Sequence, residues 1–369
     1  MHANDVRATG PGIIFGSGFT SVSGNSISGV GQKTSGDGIV LATGVDKSGL
    51  DQCQVIGNRI FAIGGIGISV EAVLKSAMIK NNFINGAAFG AIVMGERSSA
   101  DFITVENNQI SNIVPRAGSD QGPVIGIRLV DAERGEVTGN MIAAIGLQAA
   151  NNHCVGVQLF ASSSVRVGGN EIVDIGPTQG NAQPSAGIEA IGTFDRLDVV
   201  ENNVRRSTKS GQLDQAAWHA VSVSGAQTSP PGLTGVDALF GAKTNTNFLL
   251  FADRVLARQI GSETLSLHGN FFDAYGIAPA VRVALTGVCT FSDNRNMIAG
   301  YEQATVEIAA DAAVLQGNYV QGTHAINTVL IKLPDPNHFT ALGNITGHVI
   351  AVNNLPLATP WEPLNRHLS

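Results

Sequence analysis

Short segments of alternating apolar residues recur along the chain, each opened by a glycine. They read GIVLA from Gly38, GISVE from Gly67, GAIVM from Gly90, GIRLV from Gly126, GVQLF from Gly156 and GIEAI from Gly187. Alternation over four or five positions predicts short strands with one buried face. A second block alternates with the first. VIGNRIFAIG ends at Gly64, VTGNMIAAIG at Gly146 and VGGNEIVDIG at Gly176. Its asparagine serves as a marker at Asn25, Asn58, Asn82, Asn108, Asn140, Asn170, Asn203, Asn270, Asn294, Asn318 and Asn344. The spacings are 33, 24, 26, 32, 30, 33, 67, 24, 24 and 26 residues. A floor of 24 with variable excess describes one fixed unit carrying loops of variable length.

Each unit thus offers several short strands joined by Gly and Asn turns. The period is too short for a βαβ unit, and the Gly and Asn density opposes the paired amphipathic helices of helical repeats. The architecture that fits is an all-β, single-stranded, right-handed parallel β-helix of about 11–12 coils, with equivalent strands pairing in parallel about 4.8 Å apart. The marker asparagine is expected at a turn, itself in the left-handed conformation, with its side chain bonded to its copies along the axis.

The repeat resembles the pectate-lyase-like and NosD-like right-handed β-helix superfamily, including phage tailspike trunks, from about Ser21 to about Asn354. The resemblance implies the fold and no one activity, because this fold hosts many functions. Its tailspike branch implies a homotrimer.

Composition narrows the partners. Charged residues are 14%, hydrophobic residues 43% and glycines 45, as suits a stack whose side chains face neighbouring coils rather than a disordered chain. A net charge of −7 without any basic run argues against nucleic acid. Cys53, Cys154 and Cys289 show no metal-ligand spacing and are expected to be small buried side chains, with no metal or other cofactor. The start MHANDVRATG has neither a basic nor an apolar leader region, and no apolar run predicts a membrane span. The immediate entry into the repeat points to an excised part of a longer extracellular, virion- or surface-associated protein.

Two stretches break the pattern. Residues 224–247 are rich in Gly, Pro, Ser and Thr and predict an insertion in the stack, with strands resuming at NFLLFADRV. The expected organisation is therefore one β-helical domain over 1–354 and a C-terminal tail or cap over 355–369, containing Trp361.

The loop excess sits at one corner. From Asn to strand glycine, Asn58–Gly67 spans 9 residues and Asn82–Gly90 spans 8, whereas Asn108–Gly126, Asn140–Gly156 and Asn170–Gly187 span 18, 16 and 17. Loops inserted at one corner of consecutive coils form a wall, and such walls often mark a binding face. Counting two residues past each strand glycine places Val40, Ser69, Ile92, Arg128, Gln158 and Glu189 in one outward row. Arg128, Gln158 and Glu189 would form a polar stripe, with Asp120, Asn151, His153, Gln183, Trp218 and His219 reaching it from the loops. Amides, carboxylates and an aromatic suit an oligosaccharide.

Catalysis at that stripe would need placed acid–base groups. Glycoside hydrolysis needs two placed carboxylates, for which Glu189 with Asp120 or Asp214 are the candidates. Elimination needs a base, for which Arg128 is the candidate. The signatures of polygalacturonases and alginate epimerases are absent. His153 and Cys154 are adjacent and face opposite ways on a strand, so they do not form a nucleophile pair. The favoured reading is a non-catalytic or weakly catalytic module for polysaccharide recognition or rigid display within a larger surface, phage-tail-like or injection-machine-like protein. A polysaccharide lyase or glycoside hydrolase acting in a groove is the alternative, and a scaffold binding other protein chains is the third reading.

Overall fold

The computed structural model describes the chain apart from residues 1, 3, 9, 31–35, 43–48, 116–121, 150–151, 178–183, 207–216, 226–261, 274–277, 297–303, 322–326, 358–359 and 368–369. The described strands form three long sheets, of 13, 13 and 11 strands, in which each strand pairs with its equivalents one coil before and one coil after. All pairings are parallel except the last in the second sheet. This is a right-handed parallel β-helix, as the alternating segments predict.

One coil illustrates the path. The first-sheet strand Gln109–Ile113 leads through the variable corner to Val124–Val130 in the second sheet. A tight turn then enters Ala132–Thr138 in the third sheet, and Gly139–Asn140 returns the chain to the first. Each sheet sends a row of aliphatic side chains inward. In the first, Ile27, Ile60, Ile84, Ile110, Ile142 and Ile172 stack in register. In the third, Val55, Ile79, Val105, Val137, Val167 and Val199 do the same. All of these are buried in one continuous core. Cys53, Cys154 and Cys289 are free thiols buried in it, and burial pushes the thiols of Cys154 and Cys289 up to about 12.

The marker asparagines form a continuous ladder. Asn58 donates its backbone N–H and its side-chain amide to Asn82 Oδ1, both at 3.0 Å, and the same amide donates to the Val22 carbonyl at 2.9 Å. The pattern repeats from Asn4, which donates to Asn25, through to Asn344, which donates to Asn365. Satisfied in this way, the polar amides are buried at little cost.

Two details differ from the sequence reading. The left-handed residue is the one before each ladder asparagine from Asn25 to Asn344, for example Gly57, Asn81, Asn107 and Gly139, and not the asparagine itself. In addition, Asn202 rather than Asn203 is the rung between Asn170 and Asn270. In VVENNV the left-handed residue is Glu201, so the frame falls one residue earlier than in TVENNQ, where it is Asn107.

Asn202 bonds directly to Asn270, so the long spacing between them holds a single coil. Its extra residues leave after the second-sheet strand Trp218–Ser224 and return at Glu263–His268 in the third sheet. Apart from Ser224 and Gly225, the predicted insertion and NFLLFADRV lie outside the described residues. Beyond residue 354, Leu355–Pro356 pairs antiparallel with the second sheet, while Asn365 extends the ladder and Arg366–His367 adds a parallel first-sheet strand. The repeat thus runs into the segment that the sequence reading assigned to a cap. The turn at Trp361 packs against the core, and its carbonyl accepts the Asn365 amide at 2.7 Å.

Candidate functional site

The outward row of the second sheet is built by strict register. Val40 pairs with Ser69, Ser69 with Val93, Val93 with Arg128, Arg128 with Gln158 and Gln158 with Glu189. The row continues through Ser222, Arg282 and Glu307. Ile92 is not in it: it pairs with Ile68 and Ile127 in the core, and Val93 takes its place. The slip arises because Ala91, not Gly90, is the equivalent of the strand glycines. A Cβ at Gly67 would lie 2.8 Å from the Ala91 carbonyl, just as one at Gly126 would lie 2.4 Å from that of Gly156. Close coil-to-coil approach therefore demands a small residue at this column.

The stripe does not line an open groove. Arg128, Gln158 and Glu189 are only 7%, 2% and 7% exposed. The described ends of the long loops are tied coil to coil. Asn152 donates to the Gly122 carbonyl at 2.8 Å. His153 Nδ1 lies 2.6 Å from the Pro184 carbonyl, and His219 Nδ1 lies 2.6 Å from that of Pro279.

Glu189 is the centre of this cluster. Its Oε2 accepts from Gln158 Nε2 at 2.7 Å and lies 2.8 Å from His153 Nε2. Both ring nitrogens of His153 therefore face acceptors, so the ring is held as an imidazolium. Burial works against that charge, but the Glu189 carboxylate and the Pro184 carbonyl raise the His153 pKa above its ordinary value. Burial likewise opposes ionisation of Glu189, yet His153, Gln158 and His219 bring its pKa below the usual carboxylate value. Burial pushes Arg128 down, against the pull of Glu96 and Glu189. Burial also pushes His219 down, helped by the Arg282 charge.

The other sequence candidates divide sharply. Asp120, Asn151 and Gln183, with Asp214, lie outside the described residues. Trp218 is a core residue at 1% exposure and offers no ring to a ligand from outside. The Arg206 guanidinium sits 5.5 Å from its ring centroid and donates to the Pro177 carbonyl at 2.6 Å. Arg206 escaped the sequence reading because it follows the marker block and has no place in the strand alternation. Cys154 points its thiol at the Gly146 and Asn152 carbonyls, away from the His153–Glu189 pair. Among the described residues, no group of three or more His, Cys, Asp or Glu side chains could hold a metal ion.

The sequence model of the right-handed β-helix region matches residues 11–204, more than half of the chain. The chain belongs to the right-handed β-helix family. No curated protein and no solved structure matches this β-helix. Among its described residues, no helix is long and apolar enough to cross a membrane.

Proposed function

We propose that this β-helix is a rigid, non-catalytic module, displaying binding surfaces within a larger surface, phage-tail-like or injection-machine-like protein. The observation that carries the reading is the fate of the polar stripe. The Glu189 carboxylate is consumed by Gln158 and His153, and His153 in turn fastens the loop of the next coil. The unbroken ladder from Asn4 to Asn365 supplies axial rigidity.

A polysaccharide lyase or hydrolase acting at the stripe is the second reading. It draws on the placement of Arg128, Gln158 and Glu189 in one outward row of adjacent strands. Incubation with neutral and acidic polysaccharides, reading reducing ends and ultraviolet absorbance together, separates the two. The module reading expects no product, and Glu189→Gln then changes only stability. Product formation that is abolished by Glu189→Gln or Arg128→Ala in a folded chain would overturn it. A homotrimer, or assembly with other protein chains, belongs to the same proposal and is read from the mass in solution.

A further inference from the structure

The third sheet is broadest where Val73–Lys80 pairs with Ser99–Glu106, eight residues each. Side chains pointing out of these two strands form three columns along the rod. Phe102 stands beside Ser76, Thr104 beside Met78 and Glu106 beside Lys80. The next strand on either side extends the middle column, with Gln54 beside Met78 and Glu136 beside Thr104.

Two large apolar side chains project from this face. Phe102 is 41% exposed and Met78 is 37% exposed. Their in-register neighbours are small. Ser76 is half-buried; its hydroxyl donates to Asp51 Oδ1 and accepts the Gln52 N–H, both at 2.9 Å. Thr104 is buried. Knob and hollow therefore alternate, with Phe102 diagonal to Met78 and Ser76 diagonal to Thr104. In the third column Lys80 donates to Glu106 Oε2 at 2.9 Å, and both side chains stay about a third exposed. Exposed apolar groups framed by charge mark a surface that another chain covers.

We propose that this face pairs with a second copy of the chain, the two rods lying side by side and antiparallel. A twofold axis parallel to the strands and midway between them lays Val73–Lys80 over Ser99–Glu106 of the partner, and the reverse. By the register above, Phe102 enters the hollow at the partner's Ser76 and packs against the partner's Met78. Lys80 meets the partner's Glu106, so two separate ion pairs become one ring of four alternating charges. One strand further out, Glu136 meets the amide of the partner's Gln54. Each contact occurs twice, as an isologous interface requires. The charges choose this orientation. A twofold axis along the rod would hold the rods parallel and exchange the outer columns, setting Phe102 on the partner's Glu106 and Ser76 on the partner's Lys80. The pairing uses no residue of the second-sheet stripe. It is independent of the module reading and narrows the assembly that reading leaves open.

The test is sedimentation velocity of the full chain from about 2 to 500 μM. The face spans only about 15 Å of the rod, so a reversible dimer with a Kd of about 10–100 μM is expected. Phe102→Ala should weaken it about tenfold or more, and Phe102→Asp should abolish it, with thermal melts close to the parent because the side chain is exposed. Lys80→Glu and Glu106→Lys should each stay monomeric, since each sets like charges face to face. Mixed in equal amounts, those two variants should form a heterodimer, because the antiparallel register restores both ion pairs. Glu189→Gln should leave the dimer unchanged. A monomer at the highest concentration, a trimer, a dimer indifferent to Phe102→Asp, or a mixture of the two charge variants that stays monomeric would overturn the proposal.

Discussion

The ladder asparagine is the residue on which the fold turns, and its energetic role is testable at a single rung. Asn140 Oδ1 accepts from the Asn108 backbone and side chain at 2.9 and 3.0 Å, while its own amide donates to Val105 and Asn170. Asn140→Ala strands two buried donors and one carbonyl, and should cost about 2–4 kcal/mol in urea unfolding. Asn365→Ala, at the end of the ladder, strands the matching donors of Asn344 and the Ala341 and Trp361 carbonyls, and should cost a similar amount. Glu201 predicts the opposite sign. It holds φ 55°, where equivalent positions are glycine at Gly139, Gly169 and Gly269. Glu201→Gly should therefore raise stability by about 1 kcal/mol. The repeat made the ladder legible in the sequence, but the doubled Asn202–Asn203 hid its frame. The inward positions resolve it. With Asn202 as the rung, Val204 falls on the buried row, whereas Asn203 as the rung would have put charged Arg205 there.

At the scale of the element, counting from the strand glycines was enough to bring Arg128, Gln158 and Glu189 together in register. Their burial was not legible, because no periodicity encodes the cross-coil contacts that His153 and Gln158 make to Glu189. The sequence shows where a loop is inserted but not that His153 folds back onto the next strand. That contact makes the loop wall sensitive to pH. The raised pKa of His153 means its contribution is complete below the ordinary histidine value of 6.5 and is lost as pH rises through the folded value. The depressed pKa of Glu189 means its contribution is complete above the ordinary value of 4.5 and is lost as pH falls through the folded value. Stability should therefore plateau in mildly acidic solution and decline on both sides. His153→Gln should remove the alkaline decline and also weaken the acid one, because His153 holds the Glu189 pKa down, as read from urea midpoints between about pH 3 and pH 9. The glycine column sets a second limit at this scale. A Cβ at Gly156 would stand 2.5 Å from the Gly187 carbonyl and 2.8 Å from Ile172, so Gly156→Val should prevent native packing of that coil.

Across the whole molecule, the ladder is uniform but the packing around it is not. The family match ends at residue 204, while the asparagines continue to Asn365. What changes beyond that point is visible in register. The small-residue column, which runs Gly126, Gly156, Gly187 and Ala220, passes through Ala280 to Thr305 and Thr328. The inward row of the first sheet reaches Asn296 and Thr346, both buried. First-sheet strands shorten from five residues at Met141–Ile145 to two at Tyr319–Val320 and Ile345–Thr346. Shorter strands form fewer ladder bonds per coil, and buried hydroxyls replace packed methyls. In a solenoid, stability is close to a sum of coil and interface terms, so such a gradient becomes a gradient of local unfolding. Amide exchange should be slowest in the third-sheet strands between Val73 and Val200 and faster in every sheet from Arg295 onward. Asn296→Val tests the cause: an apolar side chain in that buried row should slow exchange in the flanking strands Phe271–Asp273 and Tyr319–Val320. If exchange were equally slow along the whole rod, the ladder alone, rather than the aliphatic rows it aligns, would be setting the stability of each coil.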